Sequence, residues 1–177
     1  MRTIVRAARE GDLSQLQDIE ADAGKVFAQI GLASIAAADP PSLELLREHL
    51  ERGTLWVAVD LEDRPVAYAS ASVIDGEGHL DQVSVRRSHA RRGIGGALVE
   101  HVCEWAMTED LHAVTLTTFR DVEWNGPLYE RYGFVPLAED EHGPELSAIR
   151  AAERAAGIDV APRIGRASCR ERVCLLV

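Results

Sequence analysis

Leu80-Asp81-Gln82-Val83-Ser84-Val85, then Arg86 to Ala90, then Arg91-Arg92-Gly93-Ile94-Gly95-Gly96-Ala97-Leu98 is the stretch whose reading decides the fold. Its first six residues read as a strand. A glycine-rich turn follows and opens a helix over about Gly95 to Met107, with Leu98, Val102, Trp105 and Ala106 on its inward face. Helix N-termini leave backbone N–H groups unpaired and carry partial positive charge, so the turn is an anion site by construction. Gly93, Gly95 and Gly96 allow a phosphate to approach the backbone without meeting a Cβ. Arg91 and Arg92 add charge-assisted donors, and a diphosphate suits the combination.

Taken alone, the same loop also reads as a solvated Arg/Gly surface turn. A Walker loop is excluded because no Gly-Lys-Ser/Thr follows. A Rossmann fingerprint needs a third glycine at position 98, where Leu98 stands. The remaining phosphate reading is the pyrophosphate of coenzyme A, and the surrounding elements favour it.

Upstream, Thr3–Ala7 is a strand pattern, and Asp12 is placed to cap a helix carrying Leu13, Leu16, Ile19 and Glu20. The pattern loosens through Gly24–Asp39. Ser42 then starts a helix with Leu43, Leu46 and Leu50 on one stripe, and Gly53 stops it. Leu55–Val59, Val66–Ile74 and His79–Val85 are strands joined by turns so short that neighbours must pair antiparallel. Downstream, Val114–Thr118 suits a sheet centre and Asn125–Tyr132 is a short helix closed by Gly133. Phe134–Leu137 is a strand, and Pro144–Ala156 a further helix. The sum is a three-layer α/β arrangement around a mixed sheet, with antiparallel hairpins first and a strand–helix–strand crossover after.

The 177 residues suit one domain, with 46% hydrophobic and 27% charged residues. The segment 164–177 reads differently from the rest. It resembles the translation of a short-read sequencing adapter, so the domain is expected over 1–163 and the tail is set aside as non-native. Without it, a strand begun by Val160–Arg163 would be left unfinished. The whole chain has 19 basic and 29 acidic residues, a net charge of −10. Setting aside the tail's three Arg and one Glu leaves 16 and 28, a net of −12. This balance argues against nucleic acid as a partner and leaves room for a cationic small substrate. No run reaches the roughly 20 apolar residues of a membrane span. Met1–Arg6 shows no apolar leader, so a cytoplasmic protein without a membrane partner is expected. Three cysteines (Cys103, Cys169 and Cys174) have neither a disulfide framework nor zinc spacing, and no metal is expected.

Val83-Ser84-Val85 before Arg91-Arg92-Gly93-Ile94-Gly95-Gly96, with Asn125-x-x-Leu128-Tyr129-Glu130-Arg131-Tyr132-Gly133-Phe134 downstream, resembles the GNAT family of acetyl-CoA-dependent N-acetyltransferases. The resemblance covers roughly residues 3–137. The family's phosphate motif is Gln/Arg-x-x-Gly-x-Gly/Ala. Its first position falls here on Ala90, a departure that removes a side-chain contact and leaves the backbone amides. The resemblance implies acetyl transfer from acetyl-CoA to a primary amine of a small molecule or peptide, through a tetrahedral intermediate. It also implies splayed central strands, in a sheet that is mostly antiparallel with helices on both faces. A homodimer is consistent with it, since dimers are frequent in the family.

The same resemblance assigns roles. The backbone of Val83, Ser84 and Val85 would pair with pantetheine or polarise the thioester carbonyl, and Arg91 to Gly96 would hold the pyrophosphate. Tyr129 matches the tyrosine that protonates the departing thiolate, and Asn125 is placed to bond the pantetheine arm. Alternation puts His79, Asp81, Val83 and Val85 on one face of their strand. Asp81 is the expected general base, with His79, Glu20 or an ordered water as alternatives. The acceptor pocket would draw on Gly24–Pro41 and Leu137–Pro144. A rival reading keeps the acyl-CoA site and drops the chemistry, making the chain a sensor or regulatory module. Retention of Tyr129 and Asn125 favours the enzyme.

Overall fold

Leu55-Trp56-Val57-Ala58-Val59 has no polar residue on either face, the pattern of a strand covered on both sides, and all five residues are buried. In the computed structural model this is β2 (Leu55–Val59). It pairs antiparallel with β1 (Ile4–Ala7), Ile4 opposite Val59, and with β3 (Pro65–Ile74), Leu55 opposite Ser70. Pro65 stands at the first position of β3, where a missing N–H disturbs the ladder least. The structure describes residues 4–119, 122, 124, 126–157 and the backbone of 163–169. The chain forms two compact units, Met1–Ala71 with Gln82–His101, and Ser72–Asp81 with Val102–Val177.

In the first unit the strand order is β1-β2-β3-β4, with β4 spanning Glu77–Val85. Helix α1 (Leu13–Gly24) buries Leu13, Leu16 and Ile19 against Leu46, Leu55, Val57, Val59 and Tyr68. Each such side chain contributes about 1.5–3 kcal/mol by leaving water. Asp12 does not cap α1 as its position suggests. Its carboxylate accepts from the Arg9 backbone N–H at 2.8 Å and from Arg6 Nη1 at 2.8 Å, because the preceding turn over Glu10–Asp12 brings both donors to it first. A two-turn 3-10 helix (Lys25–Ile30) and the short α2 (Ala33–Ala36) follow. Helix α3 (Leu43–Glu51) starts as expected, with Ser42 Oγ accepting from the Leu45 N–H at 3.1 Å.

In the second unit the order is β4-β5-β7-β6. The chain leaves β4, passes through α4 (Ile94–Thr108) and returns as β5 (Ala113–Phe119), parallel to β4, as a helical crossover requires. The ladder joins Gly78 to Val114 and His79 to Thr115. A Cβ on Gly78 would stand 3.3 Å from Val114 Cγ2 and 3.4 Å from Ala106 Cβ, so a side chain here would crowd both neighbours. Helix α5 (Gly126–Arg131) leads into β6 (Phe134–Leu137), and α6 covers Pro144–Ala155. Strand β7 (Arg163–Cys169) lies antiparallel between β5 and β6, Ala113 opposite Cys169 and Phe134 opposite Ser168. Residues set aside on sequence grounds as a tail therefore take a place in this sheet.

Helix α6 is capped from a distance. The Asp75 carboxylate, in the turn between β3 and β4, accepts from the Glu145 N–H at 3.0 Å and the Leu146 N–H at 2.9 Å. The Asp75 N–H donates back to the Glu145 carboxylate. This is the reciprocal logic of a capping box, delivered across 70 residues. The mixed, mostly antiparallel sheet with its helices is the α/β class expected.

Candidate active site

Strand β4 has two differently employed faces. Val83 and Val85 point toward the start of α4, where a Cβ on Gly95 would lie 3.9 Å from Val83 Cγ1 and 3.6 Å from Val85 Cγ2. Alternation sends Gln82 and Ser84 the other way, to the Glu20 carboxylate of α1. Glu20 accepts from Ser84 Oγ at 2.5 Å, from Gln82 Nε2 at 2.9 and 3.1 Å, and from Tyr68 Oη at 2.8 Å. Tyr68 is wholly buried; that burial, with the adjacent carboxylate, raises its phenol far above the ordinary value. Ser84 is buried too, so β4 is gripped from both faces over the residues expected to meet pantetheine.

The chain then turns into α4. A 3-10 turn at Arg87–His89 follows β4, and Arg87 is tied to Asp22 of α1. Its backbone N–H donates to Asp22 Oδ2 at 2.9 Å and its Nε to Oδ1 at 3.1 Å. The backbone bond, more than the guanidinium, holds the Asp22 carboxyl below its usual range against the opposing effect of burial. Arg91 (φ 60°) and Gly93 (φ 78°) take the left-handed conformation that bends the chain into the helix. Nothing lies within 4 Å of where a Gly93 Cβ would stand. The Ala97 N–H reaches Gly93 O at 3.0 Å, and helix geometry leaves the first-turn amides of Ile94, Gly95 and Gly96 without a carbonyl of their own helix ahead of them. Arg91 is exposed. Arg92, expected to meet phosphate, donates to Ser88 O at 2.9 Å and so closes the turn on itself.

The other expected residues belong to the second unit. Tyr129 lies on α5, edge-on to Phe134 with ring centroids 5.7 Å apart; desolvation pushes its phenol up to about 12. Asp81 is exposed on β4 and accepts from Ser72 Oγ at 2.9 Å. His79 is buried, with Nδ1 2.8 Å from Thr115 Oγ1. Burial pushes its imidazole down to about 4 despite the opposing Glu153 and Asp75 carboxylates. It is therefore neutral near pH 7 and a poor match for taking a proton from an ammonium group. Asn125 lies outside the described residues. Tyr68 and Gln82 were not foreseen. The signal for Gln82 was present, since it shares a face with Ser84, but Tyr68 and Gln82 lie 48 and 62 residues from Glu20.

A profile of the acetyltransferase (GNAT) family matches residues 17–134. The chain belongs to the GNAT family. Membership of this acetyltransferase family supports an acyltransferase activity. The uncharacterized N-acetyltransferase YobR of Bacillus subtilis (strain 168) is 29% identical to it over 76 residues, 43% of this chain and 31% of that protein. The match thus spans less than a third of that relative's length. Among solved structures, Rv2747 from Mycobacterium tuberculosis in complex with CoA and NLQ is similar at a TM-score of 0.71 and 20% identity. It covers 94% of this chain and 98% of that one. The PaiA N-acetyltransferase from Thermoplasma acidophilum in complex with coenzyme A gives 0.70 and 15%, covering 96% and 99%. At these identities the likeness to the solved structures is one of fold.

Proposed function

We propose that this GNAT member moves an acetyl group from acetyl-CoA directly to a primary amine on a small molecule or peptide, and that it does so in the cytoplasm. One observation carries the reading: the turn from Arg91 to Gly96 presents first-turn amides of α4 beside an open Gly93, next to a β4 segment held on both faces. The coenzyme A complexes of Rv2747 and PaiA, which share the fold, support the same ligand. The amides of Ile94, Gly95 and Gly96 would hold the pyrophosphate, with Arg91 as a nearby cation and Arg92, Gly93 and Ser88 shaping the turn. Asn125 would bond the pantetheine arm, and the backbone of Val83, Ser84 and Val85 would pair with it.

Acetyl-CoA supplies a thioester whose carbonyl carbon an amine nitrogen attacks. A backbone N–H at Val83 or Val85 stabilises the oxygen on which negative charge gathers. Asp81 takes the proton the nitrogen sheds as the C–N bond forms. Tyr129 gives its phenolic proton to the sulfur as the C–S bond breaks. A phenol held near 12 is fully protonated at neutral pH, as a proton donor must be. Release of coenzyme A thiol over a panel of amines tests the reaction. Thiol appearing with no amine in the panel, while acetyl-CoA binds, would leave a binding module in place of an enzyme.

A further inference from the structure

We infer that Glu20 is a positioning residue for the acyl-CoA-binding edge of β4, acting together with Asp22. The inference rests on the acetyl-CoA reading of that edge. Val83 and Val85 have their side chains on the Gly95 side, and the β4–β5 register pairs Gly78 and His79, upstream of both. What fixes the rotation of the Val83 and Val85 peptide groups is whatever holds the residues between and before them. Ser84 and Gln82 are held by one carboxylate, and Gln82 Nε2 also reaches Ser84 Oγ at 2.9 Å, which closes a small network. Glu20 takes a further bond from Tyr68 of β3, so the same carboxylate joins α1 to two adjacent strands. Hydrogen bonds to an ionised carboxylate are shorter and stronger than neutral ones, and a closed network rigidifies what it joins.

Two residues further along α1, Asp22 holds both the backbone and the side chain of Arg87, where β4 passes into the phosphate turn. The last turns of one helix therefore fasten both the strand edge and the start of the turn. Among the described residues the donors on Glu20 are neutral side chains from these strands, arranged to orient them, and the residue acts on the donor substrate through β4 without touching it. Sequence alone left Glu20 among the candidates for general base. Its four bonds to protein donors assign it the other role.

The test is a kinetic split on the full chain. Glu20→Gln keeps the shape and loses the charge, and Ser84→Ala removes one bond with the fold least disturbed. For Glu20→Gln, the KM for acetyl-CoA and the calorimetric Kd for acetyl-CoA should both rise about tenfold, equivalent to roughly 1.4 kcal/mol. Meanwhile kcat at saturating acetyl-CoA should stay within about twofold and its pH profile should not move. Ser84→Ala should change the same constants in the same direction by a smaller factor, and Glu20→Asp should recover part of the loss. Asp75→Ala, which uncaps α6, is the stability control and should leave the Kd unchanged. A collapse of kcat with the Kd intact, or a shifted pH profile, would make Glu20 a base and overturn the inference. So would an unchanged Kd in both Glu20→Gln and Ser84→Ala, or an equal loss in Asp75→Ala. Failure of the unaltered chain to bind acetyl-CoA would instead fall on the underlying functional reading.

Discussion

Tyr129 and His79 show how burial sets the protonation state a residue brings to its work. The Tyr129 phenol is raised to about 12 by desolvation, so it holds its proton through any ordinary assay pH. Tyr129→Phe removes that proton and should lower kcat by roughly 100-fold or more, the scale of a general-acid contribution, with acetyl-CoA affinity intact in the same titration. His79 is pushed the opposite way, from 6.5 to about 4. A folded-state value below the unfolded one means that stability is fully present above about pH 6.5 and is lost as the pH falls toward 4, because the unfolded chain takes up the proton first. The loss attached to this one buried imidazole is up to about 3 kcal/mol. In His79→Asn, thermal melts should show a shallower fall between pH 6.5 and 4, whatever the offset in stability. An unchanged slope would mean that His79 ionises in the folded chain as it does in water.

At the scale of elements, most strands and helices were readable because their signals are local. Leu55–Val59 and Phe134–Leu137 occur as expected, and α4 begins one residue before Gly95 and ends one after Met107. Contacts made across long stretches of chain were not readable. One local contact was missed as well: Asp12 is spaced like a cap, but its carboxylate goes to Arg6 and the Arg9 N–H. The cap of α6 comes from Asp75, 70 residues away in a turn that reads as an ordinary Asp-Gly hairpin signal. Asp75→Ala should cost about 1 kcal/mol, read as a lower denaturation midpoint. A Cβ on Gly143 would overlap the Asp75 carboxyl group, so Gly143→Ala expels the same cap. The two substitutions should therefore be strongly non-additive in a double-mutant cycle. Additive losses would show that the Asp75 bonds do not support the helix.

For the whole molecule, the turn into α4 and the short helix α5 were legible because the bends beside them need left-handed backbone and so leave glycines at 93 and 133. Glu20's hydrogen-bond partners were hidden because they come from β3 and β4, and the pairing of 164–169 because the segment 164–177 resembles a translated sequencing adapter. Strand β7 pairs with both β5 and β6, so a chain ending after Arg163 takes from β6 its ladder to β7 and leaves β5 with one open edge. Such a chain should melt roughly 10 °C lower, a few kcal/mol at about 2–4 °C each, and aggregate more readily. Equal melting temperatures would show that β7 adds nothing to the fold. Every role proposed for the site depends on a diphosphate ligand sitting on the α4 turn. Calorimetric titration of acetyl-CoA into the full chain, beside Gly95→Glu, tests it most directly. Saturable binding is expected for the parent and should disappear in Gly95→Glu, where a carboxylate takes the place of the phosphate. A folded chain that gives no heat with acetyl-CoA, or a Gly95→Glu variant that binds as well as the parent, would contradict it.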